Sequence, residues 1–316
     1  ATMTVTLTNY DGTTVTRTCA VTVQTAVAQV GNTYYASVTN AVNAISSSGT
    51  ITMVNNSSES PTIPVGKTIT LNMNSKTITG SLANEGTLTL SGGTITSSSG
   101  WTIGNHSTGT LNFKGGVIQH LGNETGCAVM NFGTFRMNAG TINSTQTGLV
   151  AEGQTSVTDI TGGNLKTTSN GFAVRADEGA DMDVYNATIT ATNAVGTDGG
   201  RIVLEDCNIT GNISTNALGG SGIIIEIVRT STGFNIYWYD TESASGATAI
   251  WFPTWTDLNG GDDRIWYSAI SGTRNNSKTW YYSVSIANHN NETGLYTTHV
   301  YKNDYSTYVG GFSVYI

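Results

Sequence analysis

Apolar and polar residues alternate through the first two thirds of the chain, and the alternation returns in register. GTLTLSGGTIT at 86–96 comes back as GTLNFKGGVIQ at 109–119 and as GTFRMNAGTIN at 133–143. Weaker copies start at Ser156, Ala180 and Gly200, and an earlier one, TITLNMNSKTIT, starts at Thr68. The residue after each turn falls at Ile78, Ile95, Ile118, Ile142, Leu165, Ile189 and Ile209, at steps of 17, 23, 24, 23, 24 and 20 residues. That period belongs to solenoids. Five positions earlier stand Met73, Leu90, Phe113, Met137, Ile160, Val184 and Leu204, and two earlier again Leu71, Leu88, Leu111, Phe135, Thr158, Met182 and Ile202. Apolar residues at every second position mark strands with one buried face. Gly-Gly or Asn-Ala steps between them bend the chain, because glycine carries no Cβ penalty. The pattern predicts an all-β molecule: a right-handed parallel β-helix whose coil is a short strand, a bend, a second strand and a variable loop. Coils stack about 4.8 Å apart, so Thr94, Thr141, Thr188 and Asn143 are expected in outward ladders.

A solenoid must cover its open ends. Val38, Val42 and Ile45 are spaced as one face of a short helix, expected to lie across the N-terminal opening. Tyr35, Ser37, Ala41, Val42, Ile63, Pro64, Gly66, Lys67 and Gly80 follow in order. In these residues the segment resembles the opening of pectate-lyase-like parallel β-helices in bacterial cell-surface proteins, which implies a capped β-helix over 27–220. Residues 1–26 read as a hairpin turning at Asn9-Tyr10-Asp11-Gly12. An isolated hairpin is marginal in water, so this one is expected to be the end of a preceding Ig-like module or a docking strand pair.

At Gly219-Gly220-Ser221-Gly222 the repeat stops, and five of the six tryptophans follow, Trp101 being the exception. This change marks a domain boundary. Short strands at 223–228, 234–239, 248–254, 263–268, 279–286, 294–301 and 311–315 predict a small β-sandwich over 221–316. The stretch carries Phe252-Pro253-Thr254-Trp255-Thr256, then Asn259-Gly260-Gly261-Asp262-Asp263 with Trp266-Tyr267. Val284, the turn at 289–292 and the run Gly294-Leu295-Tyr296-Thr297-Thr298-His299-Val300-Tyr301 follow. In these motifs it resembles the group-B-streptococcal Bsp-like repeat of Gram-positive surface proteins and cell-wall hydrolases. One position departs from that pattern: Asn288 stands where the family shows Asp before the turn histidine. The resemblance implies an extracellular, wall-associated setting and brings no assigned activity.

Composition narrows the classes. Lys and Arg number 13 against 21 Asp and Glu, a formal charge of −8, and only 11% of residues are charged. Such a chain lacks the basic footprint of nucleic-acid binding. Its longest apolar run, around 223–225, is far shorter than the about 20 residues of a membrane span. Ala1 rather than Met begins the chain, and no signal peptide opens it, so it reads as a processed or excised piece. Cys19, Cys127 and Cys207 are too few and too scattered for a disulfide scaffold or a zinc site and are expected to be small buried residues.

Two constellations carry candidate chemistry. In the ladder Thr89, Asn112, Arg136, Asp159, Asp183, Val203, stacking places Asp159 and Asp183 on adjacent coils beside Arg136. They would form an ion-paired outer face, a structural Ca²⁺ site, or the acids of a polysaccharide lyase or hydrolase working in the groove. The Asn-Thr-Asp, Asp-Asp, Gly-His-Gly and Arg-Ile-Lys motifs of galacturonan hydrolases of this fold do not occur in the solenoid. Trp255, Trp266, Tyr267, Trp280 and Tyr282 form the second constellation, a platform for sugar rings against the plainer role of sheet packing. His289 and His299 read as hydrogen-bonding residues of turn and strand, and Asp257, Asp262 and Asp263 as turn stabilisers. The expectation is a secreted surface segment, a rigid stalk displaying a module that binds a cell-wall or host glycan or another surface protein. The alternatives are the groove enzyme and a self-assembling homo-oligomeric fibre joined through the N-terminal hairpin.

Overall fold

A computed structural model describes residues 2–20, 24–123, 125–214, 222–239 and 246–316. A parallel β-solenoid of about eight turns occupies 48–227. Its first face stacks Ser48–Met53, Thr68–Asn72, Thr87–Ser91, Thr110–Phe113, Thr134–Met137, Val157–Ile160, Asp181–Tyr185, Arg201–Glu205 and Ile223–Thr230, all parallel. The second face runs from Ser57–Ser58 through Thr94–Ser97 and Thr141–Ser144 to the long strand Thr188–Asp198 and Asn208–Ser214. Ile78, Ile95, Ile118, Ile142, Leu165, Ile189 and Ile209 stack directly on one another there. Each fully buried branched side chain contributes about 1.5–3 kcal/mol, so this column and its first-face counterpart hold the coils together.

The structure adds a third face where the repeat reads as a variable loop. Leu82–Asn84, Trp101–Asn105, Cys127–Asn131, Thr147–Glu152 and Phe172–Asp177 pair in parallel. Their inward positions are not uniformly apolar. Leu82, Ile103, Val129, Leu149 and Val174 are buried, but two residues on stand buried Asn84, Asn105 and Asn131. Asn84 Nδ2 donates to Asn105 Oδ1 at 2.7 Å, and Asn105 Nδ2 to Asn131 Oδ1 at 2.7 Å. Asn131 Nδ2 then reaches Thr158 Oγ1 at 2.9 Å, which explains the threonine inside an apolar column. Gly109 follows in the next corner because a Cβ there would lie 2.4 Å from Asn105 Oδ1 and 2.5 Å from Asn84 O. The first coil also corrects the register: Leu90 pairs with Leu71 and Leu88 with Ile69, not with Met73 and Leu71. Asn74 and Ser75, both at positive φ, form a corner that lengthens this coil by two residues between its faces.

The helix Val38–Ala44 precedes the solenoid, with Val38, Ala41 and Val42 buried. Ser37 accepts from Asn40 N at 3.0 Å, a standard N-cap. The coil itself supplies the other cap groups. Glu59 accepts from Val38 N at 2.8 Å and Thr39 N at 2.9 Å, and Lys67 Nζ donates to Val42 O at 2.6 Å. An anion thus meets the helix start and a cation its end, as the peptide dipoles favour. Thr2–Thr8 and Thr14–Ala20 form the expected antiparallel hairpin, joined at Asn9–Gly12. Of the cysteines, Cys19 is exposed on this hairpin, Cys127 is buried and Cys207 half-buried, so only Cys127 matches the buried role. No described helix is long and apolar enough to cross a membrane.

After the solenoid comes a small antiparallel assembly that shares its sheet. Ile223–Thr230 pairs parallel with Arg201–Glu205 on one side and antiparallel with Gly233–Tyr239 on the other. Ser277–Ser285 and Ile270–Arg274 extend the same sheet, the last strand being one the pattern does not predict. The Gly219–Ser221 step lies outside the described residues. A second sheet, Ile265–Ser268, Ile250–Thr256, Leu295–Lys302 and Tyr308–Tyr315, packs face to face on the first around Phe234, Trp238, Phe252 and Tyr296. The outward ladder of the solenoid marks where this layer begins: Asp159 and Asp183 give way to Val203 and Ile225, and both apolar residues belong to the new core.

The same strand closes the C-terminal opening of the solenoid. Glu226 points inward and is 1% exposed. Arg274 meets it through two hydrogen bonds of 2.7 and 2.6 Å, and the Tyr239 hydroxyl donates to it at 2.6 Å. Burial and the neighbouring carboxylate push the Tyr239 phenol far above its usual range. The turn beyond Arg274 docks on the last coil, with Asn276 Nδ2 donating to Asn212 Oδ1 at 2.7 Å.

Candidate functional site

In the four-stranded sheet, side chains alternate between the buried layer and the outside. Ile250, Phe252, Thr254 and Thr256 turn inward. Trp251 and Trp255 turn outward, as do Trp266 on the neighbouring strand and His299 and Tyr301 on the strand opposite. Tyr305 and Tyr308 complete the surface. Trp251 and Tyr305 ring centroids lie 4.8 Å apart, Trp266 and Tyr305 4.9 Å, and Trp266 and Tyr301 5.0 Å. A second group joins through His299, 4.8 Å from Trp255 and 5.2 Å from Tyr308, while Tyr301 and Tyr308 stand 5.6 Å apart. The Arg264 guanidinium lies 4.6 Å from the Trp255 ring centre. Burial and then the Arg264 charge hold His299 below its ordinary pKa, which keeps its ring neutral near pH 7. The face therefore offers flat π surfaces, tyrosine hydroxyls and the Arg264 cation on one sheet.

The five residues expected as a platform divide by strand parity. Trp255 and Trp266 lie on this outer face, Trp266 being 36% exposed. Tyr267 and Trp280 are buried, and Tyr282 is half-buried with its ring stacked on Tyr267 at 4.4 Å. Sequence reasoning missed Trp251, Tyr301, Tyr305 and Tyr308. The signal was the alternation of Trp251, Pro253 and Trp255 against Phe252 and Thr254.

His289 is wholly buried and joins three segments. Its Nδ1 lies 2.8 Å from Asp263 Oδ2 and its Nε2 2.9 Å from the Tyr267 hydroxyl. Asp263 also accepts from Thr256 N at 3.0 Å, and Asp257 accepts from Thr297 Oγ1 at 3.2 Å. Largely buried, this Asp-His-Tyr chain fastens the turn to the sheet.

On the solenoid, Arg136, Asp159 and Asp183 stack in the expected register. Arg136 Nε lies 3.4 Å from Asp159 Oδ2, and Arg201 Nη1 lies 3.1 Å from Asp183 Oδ1 while also pairing with Asp181. Desolvation raises the Asp183 pKa, and the Arg201 charge opposes that rise. Guanidinium groups thus supply the positive charge that a calcium ion would bring. Among the described residues no group of three or more His, Cys, Asp and Glu side chains is placed to hold a metal ion. The ladder borders two shallow grooves, one of about 240 Å³ reaching Lys114 and Asn138 and one of about 260 Å³ reaching Tyr185, Glu205 and Ser313 of the second sheet. Arg229 seals the second junction, donating to Asp206 Oδ2 at 2.6 Å and to Tyr315 O at 2.8 Å.

Neither a curated protein nor a solved structure matches the chain. Residues 225–312, the segment that carries the aromatic face, match the model of the family described as the GBS Bsp-like repeat, and together with the solenoid this match fits a surface protein.

Proposed function

We propose that this chain is a structural and adhesive segment of an extracellular surface protein. The solenoid is the rigid stalk, and the C-terminal module, taken as a small β-sandwich, presents a face that binds a cell-wall or host glycan or another surface protein. The observation that carries the reading is the continuous outer aromatic face formed by Trp251, Trp255, Trp266, Tyr301, Tyr305 and Tyr308, which no second layer covers among the described residues. Monomeric proteins rarely leave such a patch exposed without a partner, and aromatic rings stack on the C–H faces of pyranoses. Rigidity is supported by the shared strand Ile223–Thr230, which leaves no hinge in the sheet between stalk and module.

Co-sedimentation of the full chain with insoluble Gram-positive cell walls and a panel of polysaccharides tests this. The expected outcome is depletion of protein from the supernatant without released sugar, abolished by Trp251→Ala combined with Trp266→Ala. Released sugar would replace adhesion with catalysis. Residues 223–316 alone are not a fair test, because excision removes the parallel partner of Ile223–Thr230 and Val203 from the module's core.

A further inference from the structure

The outward positions of the solenoid's third face run Thr62, Ala83, Gly104, Met130, Val150 and Arg175 on successive coils. Three small residues followed by three larger ones leave a depression at the N-terminal end of that face, about 10 Å long at about 4.8 Å per coil. A groove of about 520 Å³ lies there, lined among others by Ser60, Thr62, Ser81 and Ser99. That volume is ordinary for a small-ligand site.

Trp101 lies across the floor and is 39% exposed, although it is the one tryptophan of the solenoid. Its ring rests on Gly104, where a Cβ would come within 3.2 Å of Cε3. His106 Nε2 would lie 3.8 Å from the same Cβ, and Phe132 braces the indole from the next coil at 5.6 Å between centroids. The indole is thus fixed against the backbone with part of its surface in solvent. Among the described residues no charged side chain lines the groove.

We propose that this groove binds a neutral hexopyranose unit of an oligosaccharide. A partly exposed indole braced against the backbone offers a surface for the apolar face of a pyranose. Serine and threonine hydroxyls both donate and accept, as sugar hydroxyls do, and His106 adds a ring nitrogen. A uronate, phosphate or sulfate would find no cation here, and the chain's formal charge of −8 disfavours anions further. The site is separate from the aromatic sheet and stands or falls independently of it.

The test is calorimetric titration of the full chain with cellohexaose, mannohexaose and N-acetylchitohexaose, with hexagalacturonate as the anionic control. At least one neutral hexaose is expected to bind, and Trp101→Ala to weaken it about tenfold or more, the equivalent of about 1.4 kcal/mol. Ala83→Leu, which fills the floor and leaves the indole in place, is expected to weaken it similarly. Trp251→Ala combined with Trp266→Ala is expected to leave this binding unchanged. The proposal is overturned if no neutral hexaose binds, if hexagalacturonate binds more tightly than all three, or if Ala83→Leu in a chain of unchanged circular dichroism binds as the parent does. Loss of this binding in the Trp251, Trp266 double variant would assign it to the aromatic sheet and overturn the groove as well.

Discussion

The solenoid and the C-terminal module share one sheet but are held by different kinds of contact. In the solenoid a residue meets its counterpart one coil away, as Ile118 meets Ile95 and Ile142. In the module the deciding contacts span far longer separations, such as Thr254 with Thr298, Arg274 with Glu226 and Arg229 with Tyr315. The first kind is a column of repeated, modest contributions in which the loss of one rung is felt by its neighbours. The second kind places stability in a few particular long-range polar contacts, of which Thr254–Thr298 is buried and Arg274–Glu226 partly so. A solenoid can therefore change length by whole coils, whereas the module depends on particular residues.

The sharpest test of this contrast is Arg274→Ala. It leaves the Glu226 carboxylate buried with only Tyr239 beside it and is expected to cost about 3–5 kcal/mol in denaturant unfolding. Replacing both partners by methionine should recover most of that loss, since an apolar pair leaves no buried charge. If Arg274→Ala costs under about 1 kcal/mol, the pair is not what closes the solenoid.

Asn105→Ala probes the solenoid in the same currency. Asn84 Oδ1 already has no partner among the described residues, and the substitution strips its amide of its bond to Asn105. The orphaned amide and the cavity together should cost about 2–4 kcal/mol. Hydrogen exchange should show the loss confined to the coils of Leu82–Asn84 and Cys127–Asn131. Exchange that rises evenly into the C-terminal module would mean that the two regions unfold as one unit.

The same contrast governs how much the sequence reveals. The isoleucine columns, the outward ladder through Asp159 and Asp183 and the short helix Val38–Ala44 are legible because each rests on local spacing. The third face is hidden because Asn84, Asn105 and Asn131 occupy inward positions, so its strands fail a search for apolar alternation. The first-coil register is hidden because the Asn74-Ser75 corner adds length without changing the pattern. Strand parity of Trp251 and Trp255 was readable, but it does not say which parity faces out until the second layer is placed on Val203 and Ile225. Nothing in the sequence pairs Glu226 with Arg274, or His289 with Asp263, because neither pair lies on one element.

The helix Val38–Ala44 sits between the two regimes, and its effect should be smaller. Lys67→Met removes the cation from the helix end and the donor to Val42 O while keeping the stem. The expected cost is about 1 kcal/mol by thermal melting, reduced by added salt only slightly because the contact is partly buried. A Ser37→Ala variant should cost a similar amount through the N-cap, and a larger loss at Lys67 than at Ser37 would show that the coil, more than the helix's own residue, holds the helix in place.

The smallest expected effect is one of pH. His120 is fully buried in the column between Ser97 and Ser144, and neither ring nitrogen has a partner among the described residues. Burial holds its pKa below the ordinary 6.5. The unfolded chain therefore takes up a proton near pH 6.5 that the folded coil refuses, and stability falls as the pH drops below that point. Raised carboxylates such as Asp177 and Asp183 act in the opposite sense, because folding favours their protonated forms. The difference between parent and His120→Leu isolates the imidazole, since both chains carry the same carboxylates. The parent's melting temperature, measured relative to the variant's, should decline between pH 7 and pH 5. A flat difference would mean that the ring is protonated in the fold as easily as outside it, and that the packing around His120 admits water.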